Sequence, residues 1–146
     1  MNATKAKFKK SHHKRATARG ERIHSDVKEV PASSHGGHRF AVCFVDDYSR
    51  RGKVYCMRKK SEVIDKFIQF VEECRVDGIK VKLLRSDSGA GYSSDEMQAY
   101  CRYSGIAQEW SPPHCQSANG TSEVYWRETF KLVRSIQVAS GVNRGA

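Results

Sequence analysis

No stretch of this chain approaches the roughly 18 consecutive apolar residues that a membrane-spanning helix needs, and the N-terminus lacks the apolar segment of a secretory leader. A soluble, intracellular protein is therefore expected. No Cys-x-x-Cys occurs. The five cysteines, Cys43, Cys56, Cys74, Cys101 and Cys115, are odd in number and widely spaced. That argues against a disulfide framework and against a thiolate zinc site, and free thiols are expected instead. Internal repeats and long low-complexity segments are absent, so the chain is not read as a repeat array. Acidic residues are scarce at one end. Residues 1–22 carry eight lysines and arginines against Glu21 alone, which is +7 of the net +10. A basic arm on a nearly balanced body suits a polyanionic partner, because each phosphate contact releases condensed counterions. A solvated tail or a nuclear-import signal is the other reading of the arm.

What is present is enough for one compact domain: 146 residues, 38% of them hydrophobic. Residues 1–20 show no apolar periodicity and are expected to be a disordered or extended basic arm. Residues 22–30 alternate weakly up to Pro31 and predict a strand. After turn residues, 39–45 are nearly all apolar, as in a strand covered on both faces, and 53–58 follow a hairpin-length connection as a third strand. Ser61 is expected to cap a helix whose apolar stripe is Ile64, Phe67, Ile68, Val71 and Cys74, ended by Gly78. Alternation over 79–83 predicts a fourth strand running into Asp87. A helix over 94–103, a strand over 105–110, a Pro-containing loop over 111–120 and a last helix over 121–140 complete the core, with 141–146 as a tail. Three strands joined by short turns should be antiparallel, and later strands reached through helices should be parallel with right-handed crossovers. The order βββαβαβα predicts an α/β, RNase H-like fold: a mixed five-stranded sheet covered by helices.

Three carboxylates stand out. Asp26 lies in the first strand, Asp87 closes the fourth, and Glu123 falls in the first turn of the last helix. In this strand order the first and fourth strands can be neighbours. Carboxylates gathered at one point repel one another, and a divalent cation relieves the repulsion. Hard oxygen donors suit Mg²⁺ or Mn²⁺, and a pair of such ions is the known clamp for phosphoryl transfer. Each residue also has a plainer reading. Asp26 can end an exposed strand, Asp87 can close an Asx turn onto Gly89, and Glu123 can serve the helix dipole and pair with Arg127.

Four ordered segments carry a resemblance: Ile23-His24-Ser25-Asp26-Val27, Phe44-Val45-Asp46-Asp47-Tyr48-Ser49-Arg50, Leu84-Arg85-Ser86-Asp87-Ser88-Gly89 and Asn119-Gly120-Thr121-Ser122-Glu123. Together they resemble the integrase core of Ty1/copia-type retrotransposons. Thirty-five residues separate Asp87 from Glu123, the spacing of the D,D(35)E signature, and another 60 separate Asp26 from Asp87. The resemblance spans about Glu21 to Ala139. It implies Asp26, Asp87 and Glu123 as the catalytic, metal-binding triad. It also implies a two-step reaction, 3′-end processing of element DNA and then strand transfer into target DNA. Asp46 and Asp47 match a segment outside the triad and are assigned a structural or turn role, and Asn119 matches a polar loop position near the DNA end. The family usually reads Ser-Asp-Asn-Gly-Gly-Glu-Tyr where this chain has Ser88 for Asn and Gly91 for the acid before Tyr92. After Glu123 the usual basic run is replaced by Val124-Tyr125-Trp126. Family members also carry a zinc-binding domain upstream and a DNA-binding domain downstream that these residues do not include. His12, His13, His35 and His38 are read as arm and turn residues rather than ligands.

On the last helix Glu123, Arg127, Lys131 and Arg134 stay within about 80° of arc, so a basic stripe continues from the carboxylate and can track phosphates. Trp126, Phe130 and Val133 are expected to pack on the sheet. Asn119, Arg127, Lys131 and Arg134, with Lys9, Lys10, Lys14 and Arg15 of the arm, are the candidate DNA contacts. The implied partners are element and target DNA, the implied assembly a homo-oligomer, and the implied site of action the nucleus. A catalytically silent nucleic-acid-binding remnant and an RNase H-type nuclease stand as the alternatives.

Overall fold

The structure, a computed structural model, describes residues 14–30, 37, 39–89, 91–111, 124, 126 and 127. Five strands form one sheet: β1 (Ile23–Glu29), β2 (Phe40–Asp46), β3 (Gly52–Met57), β4 (Leu83–Ser86) and β5 (Ala107–Trp110), in the order β3-β2-β1-β4-β5. β1, β2 and β3 pair antiparallel, while β4 joins β1 and β5 joins β4 in parallel. This is the mixed sheet expected from the order of elements. Two helices connect its later strands: α1 (Val63–Val76) and α2 (Asp95–Ser104).

β2 is buried along almost its whole length because both faces of the sheet are covered. On one face Val42 and Phe44 meet α1, with the Phe44 ring 5.4 Å from Phe67 and 5.1 Å from Phe70. Burying each such ring stabilises the fold by roughly 1.5–3 kcal/mol. Ile23, Leu84 and Met97 extend this layer. On the other face Ala41, Cys43 and Val45 pack against Trp126, as expected for that residue of the last helix. Residues 124, 126 and 127 are helical, and the remainder of the expected 121–140 helix lies outside the described residues. Cys43, Cys56, Cys74 and Cys101 form no disulfide among the described residues. Among the described residues no helix is long and apolar enough to cross a membrane.

Four local expectations are corrected. Residues 14–20, assigned to the arm, lie on the sheet: Ala16 is buried, its amide donates to Asp47 Oδ2 at 2.7 Å, and the Gly20 amide donates to Asp46 Oδ1 at 2.8 Å. α1 is not capped by Ser61. A 3₁₀ turn over Lys60–Glu62 precedes it, and Glu62 Oε2 accepts from the Arg58 and Lys59 amides at 3.2 and 3.0 Å. β4 begins at Leu83 rather than at residue 79, although Lys82 still donates its amide to the Gly20 carbonyl at 2.8 Å and accepts from the Ala107 amide at 2.9 Å. β5 begins at Ala107, because Gly105 (φ 72°) is the left-handed cap that ends α2, the helix that Ser94 opens by accepting from the Met97 amide.

Candidate active site

β1 sends His24, Asp26 and Lys28 to the face that carries Trp126, since alternate residues share a face and Asp26 pairs with Cys43 of the Trp126 cluster. The parallel register of β1 and β4 pairs Ile23 with Leu84 and His24 with Arg85. Carried on by two residues, that register points from His24 and Arg85 toward Asp26, midway along β1, and Asp87, the residue after β4. Both carboxylates are half-buried. A third residue reports on both: Tyr92 is buried and shares a 2.7 Å hydrogen bond with Ser25 Oγ. Burial pushes its hydroxyl well above the ordinary value; the Ser25 bond opposes this, while Cys43, Asp26 and Asp87 push the same way.

The Asp26 carboxylate is held from two sides. Trp126 Nε1 donates to its Oδ2 at 3.1 Å, and Lys28 Nζ lies 3.7 Å from the same oxygen. Asp87 Oδ1 accepts from the Gly89 amide at 2.8 Å, so the Asx turn expected of this residue is present. A Cβ on residue 89 would sit 2.9 Å from Asp87 Oδ1, the end of a side chain that can turn aside, whereas at Gly91, where the resembling family carries an acid, a Cβ would lie 2.7 Å from the Lys60 carbonyl oxygen of the backbone.

Asp46 and Asp47 take the structural role expected of them, away from the carboxylate pair. Asp46 Oδ2 accepts the Ser49 amide at 2.8 Å and closes the turn to β3. Asp47 accepts from the Ala16 amide, from Arg22 at 3.3 Å and from His24 Nε2 at 2.7 Å. Burial alone would raise its carboxyl, but the Ala16 amide and His24 outweigh it and hold the pKa below the ordinary range. His24 moves down too: burial disfavours the imidazolium more than Asp47 favours it. A neutral His24 carrying its proton on Nε2 fits this, with Nδ1 buried and without a hydrogen-bond partner among the described residues.

Among the described residues no group of three or more His, Cys, Asp or Glu side chains gathers to hold a metal. Glu123 lies outside them, as do Asn119, Lys131, Arg134, Lys9 and Lys10. Arg127, Lys14 and Arg15 are described and exposed, and Arg15 Nη2 donates to the Tyr48 carbonyl at 3.2 Å.

A family model described as the integrase core domain matches residues 16–115. The chain belongs to the integrase core domain family. The match starts inside the segment that Asp46 and Asp47 tie down, so that segment is part of this integrase core. The core is 38% identical over 118 residues to the retrovirus-related Pol polyprotein from transposon TNT 1-94 of Nicotiana tabacum, covering 78% of the chain and 9% of the relative. It thus spans less than a tenth of that polyprotein's length. Two solved structures share its fold. The simian T-cell lymphotropic virus intasome in complex with PP2A regulatory subunit B56 gamma superposes with a TM-score of 0.74 at 16% identity, over 86% of this chain and 44% of that one. The HTLV-2 integrase catalytic core domain in complex with magnesium, in a trimeric form, gives 0.67 at 17% identity, over 86% of this chain and 76% of that one.

Sequence reasoning did not find the Trp126–Asp26 bond, the Ser25–Tyr92 bond or the His24–Asp47 pair. All three join residues that only the sheet brings together. One usable signal was present: His24 and Asp26 alternate on one strand, a pattern that puts both on a single face.

Proposed function

We propose that this integrase core is a metal-dependent polynucleotidyl transferase in which Asp26, Asp87 and Glu123 hold divalent metal, carrying out 3′-end processing and DNA strand transfer. The observation that supports the reading is the β1–β4 register, Ile23 with Leu84 and His24 with Arg85, which runs on toward Asp26 and Asp87. Trp126 supports the third ligand: it bonds Asp26, and Glu123 precedes it by three positions in the sequence. The donor set fits magnesium or manganese, because carboxylate oxygens are hard ligands. When bound, a pair of such ions would activate the attacking oxygen and stabilise the leaving one. Magnesium accompanies the HTLV-2 neighbour, which is consistent with this choice.

The chain's own residues supply the rest. Asp26 and Asp87 orient the ligand oxygens, and the Gly89 amide fixes the Asp87 carboxylate. Arg127, Lys131 and Arg134 would lead phosphates away from the carboxylates along one helix face, with Asn119 near the DNA end. Lys9, Lys10, Lys14 and Arg15 would add non-specific phosphate contacts. Element ends and target DNA are the proposed partners, a homo-oligomer the proposed working state, and the nucleus the proposed site of action.

A strand-transfer assay with Mn²⁺ and a short duplex tests this. Joining by the wild type and its loss in Asp87→Asn are expected. DNA binding without joining or nicking would instead indicate a silent nucleic-acid-binding remnant, and cleavage of an RNA–DNA hybrid an RNase H-type nuclease.

A further inference from the structure

We infer that Trp126 is a positioning residue for the metal site: its indole N–H holds one chosen oxygen of Asp26 and so fixes how that carboxylate faces a metal. The inference rests on the proposed assignment of Asp26 as a ligand. An indole N–H is a donor only. It can neither ligate a cation nor accept a proton, so toward Asp26 its one available chemistry is to hold the carboxylate. The bond runs to Oδ2 at 3.1 Å, the same oxygen that Lys28 Nζ approaches at 3.7 Å. Donor and cation therefore converge on one oxygen and set the rotation of the carboxylate plane.

The holder itself is buried. Trp126 is 2% exposed, seated on Ala41, Cys43 and Val45 of β2, with Val54 at the margin. Asp26 pairs with Cys43 in the β1–β2 ladder, so donor and acceptor are both referenced to the same rung of the sheet. An outer residue placed in this way typically sets ligand orientation, and its loss weakens metal binding by about 10- to 100-fold.

The test compares Mn²⁺ binding, followed by the electron paramagnetic resonance of the free ion, in the full chain and its variants, alongside thermal melting. Trp126→Phe keeps the ring packing and removes the N–H. Replacing Trp126 with benzothienylalanine keeps the indole shape and removes only the N–H, which separates the donor from the fold. Both should bind Mn²⁺ at least about tenfold more weakly than wild type. Val54→Ala, which thins the same apolar cluster, should melt earlier yet bind Mn²⁺ as wild type does. Binding that is lost in Asp87→Asn but unchanged in the benzothienyl variant overturns the inference alone. Wild-type binding that survives Asp87→Asn unchanged refutes the metal site itself, and the inference falls with it.

Discussion

Replacing Asp47 with alanine should cost this domain a large part of its stability without touching the carboxylate pair. Asp47 is 4% exposed and accepts three hydrogen bonds: the Ala16 amide at 2.7 Å, His24 Nε2 at 2.7 Å and Arg22 Nη1 at 3.3 Å. Arg22 is partly exposed and can recover water. The Ala16 amide and the His24 N–H are buried donors and cannot. Each buried donor stranded in this way costs about 1–3 kcal/mol, so the two together should cost about 2–6 kcal/mol. Domains of this size are stable by only about 5–15 kcal/mol, so the loss is a substantial fraction of the whole. Asp47→Asn should cost less, because its carbonyl can still accept the Ala16 amide. Urea unfolding at pH 7, followed by circular dichroism, measures both variants against wild type. A loss below about 1 kcal/mol for Asp47→Ala would refute the view that Asp47 ties residues 14–20 to the sheet.

Acid should weaken the fold in two stages. His24 has a depressed pKa in the folded state, so its contribution is lost as pH falls through the ordinary imidazole range near 6.5, where the unfolded chain takes up the proton first. Asp47 is also depressed, and its contribution is present above the ordinary carboxyl range near 3.9 and lost as pH falls through its lower folded value. His24→Gln should flatten the first stage in a melting-temperature series from pH 5 to 7.5. Gly20→Ala should destabilise by at least about 1–3 kcal/mol, since Gly20 has φ +87° and a Cβ there would lie 2.3 Å from the Lys80 carbonyl oxygen; chemical denaturation checks this. Arg127→Ala should weaken duplex binding alike across sequences and reduce the slope of log affinity against log salt by about 1, as fluorescence anisotropy would show.

The fold was legible wherever local pattern and burial agree. The apolar run of β2 implied cover on both faces, and Phe44 against α1 with Cys43 against Trp126 is that cover. The helical stripe placed α1 on the sheet, but its most buried members include Val63 and Phe70, which the chosen stripe omitted. Residues 14–20 carried no periodicity, because their attachment is made by carboxylates 26 and 31 residues away. The start of α1 was misplaced because Ser61 is the better cap by residue type, whereas Glu62 reaches back to two amides. At the site, the adjacency of β1 and β4, the strands of Asp26 and Asp87, was legible from strand order. Trp126 was assigned only to packing, since its bond to Asp26 spans 100 residues.

The claim on which the functional account depends is that folding brings Glu123 to the Asp26–Asp87 pair. Anomalous diffraction from crystals of the full chain grown with manganese measures this directly. The account predicts manganese density bounded by the carboxylates of Asp26, Asp87 and Glu123. Manganese bound elsewhere, or Glu123 on a remote face of the domain, would contradict it.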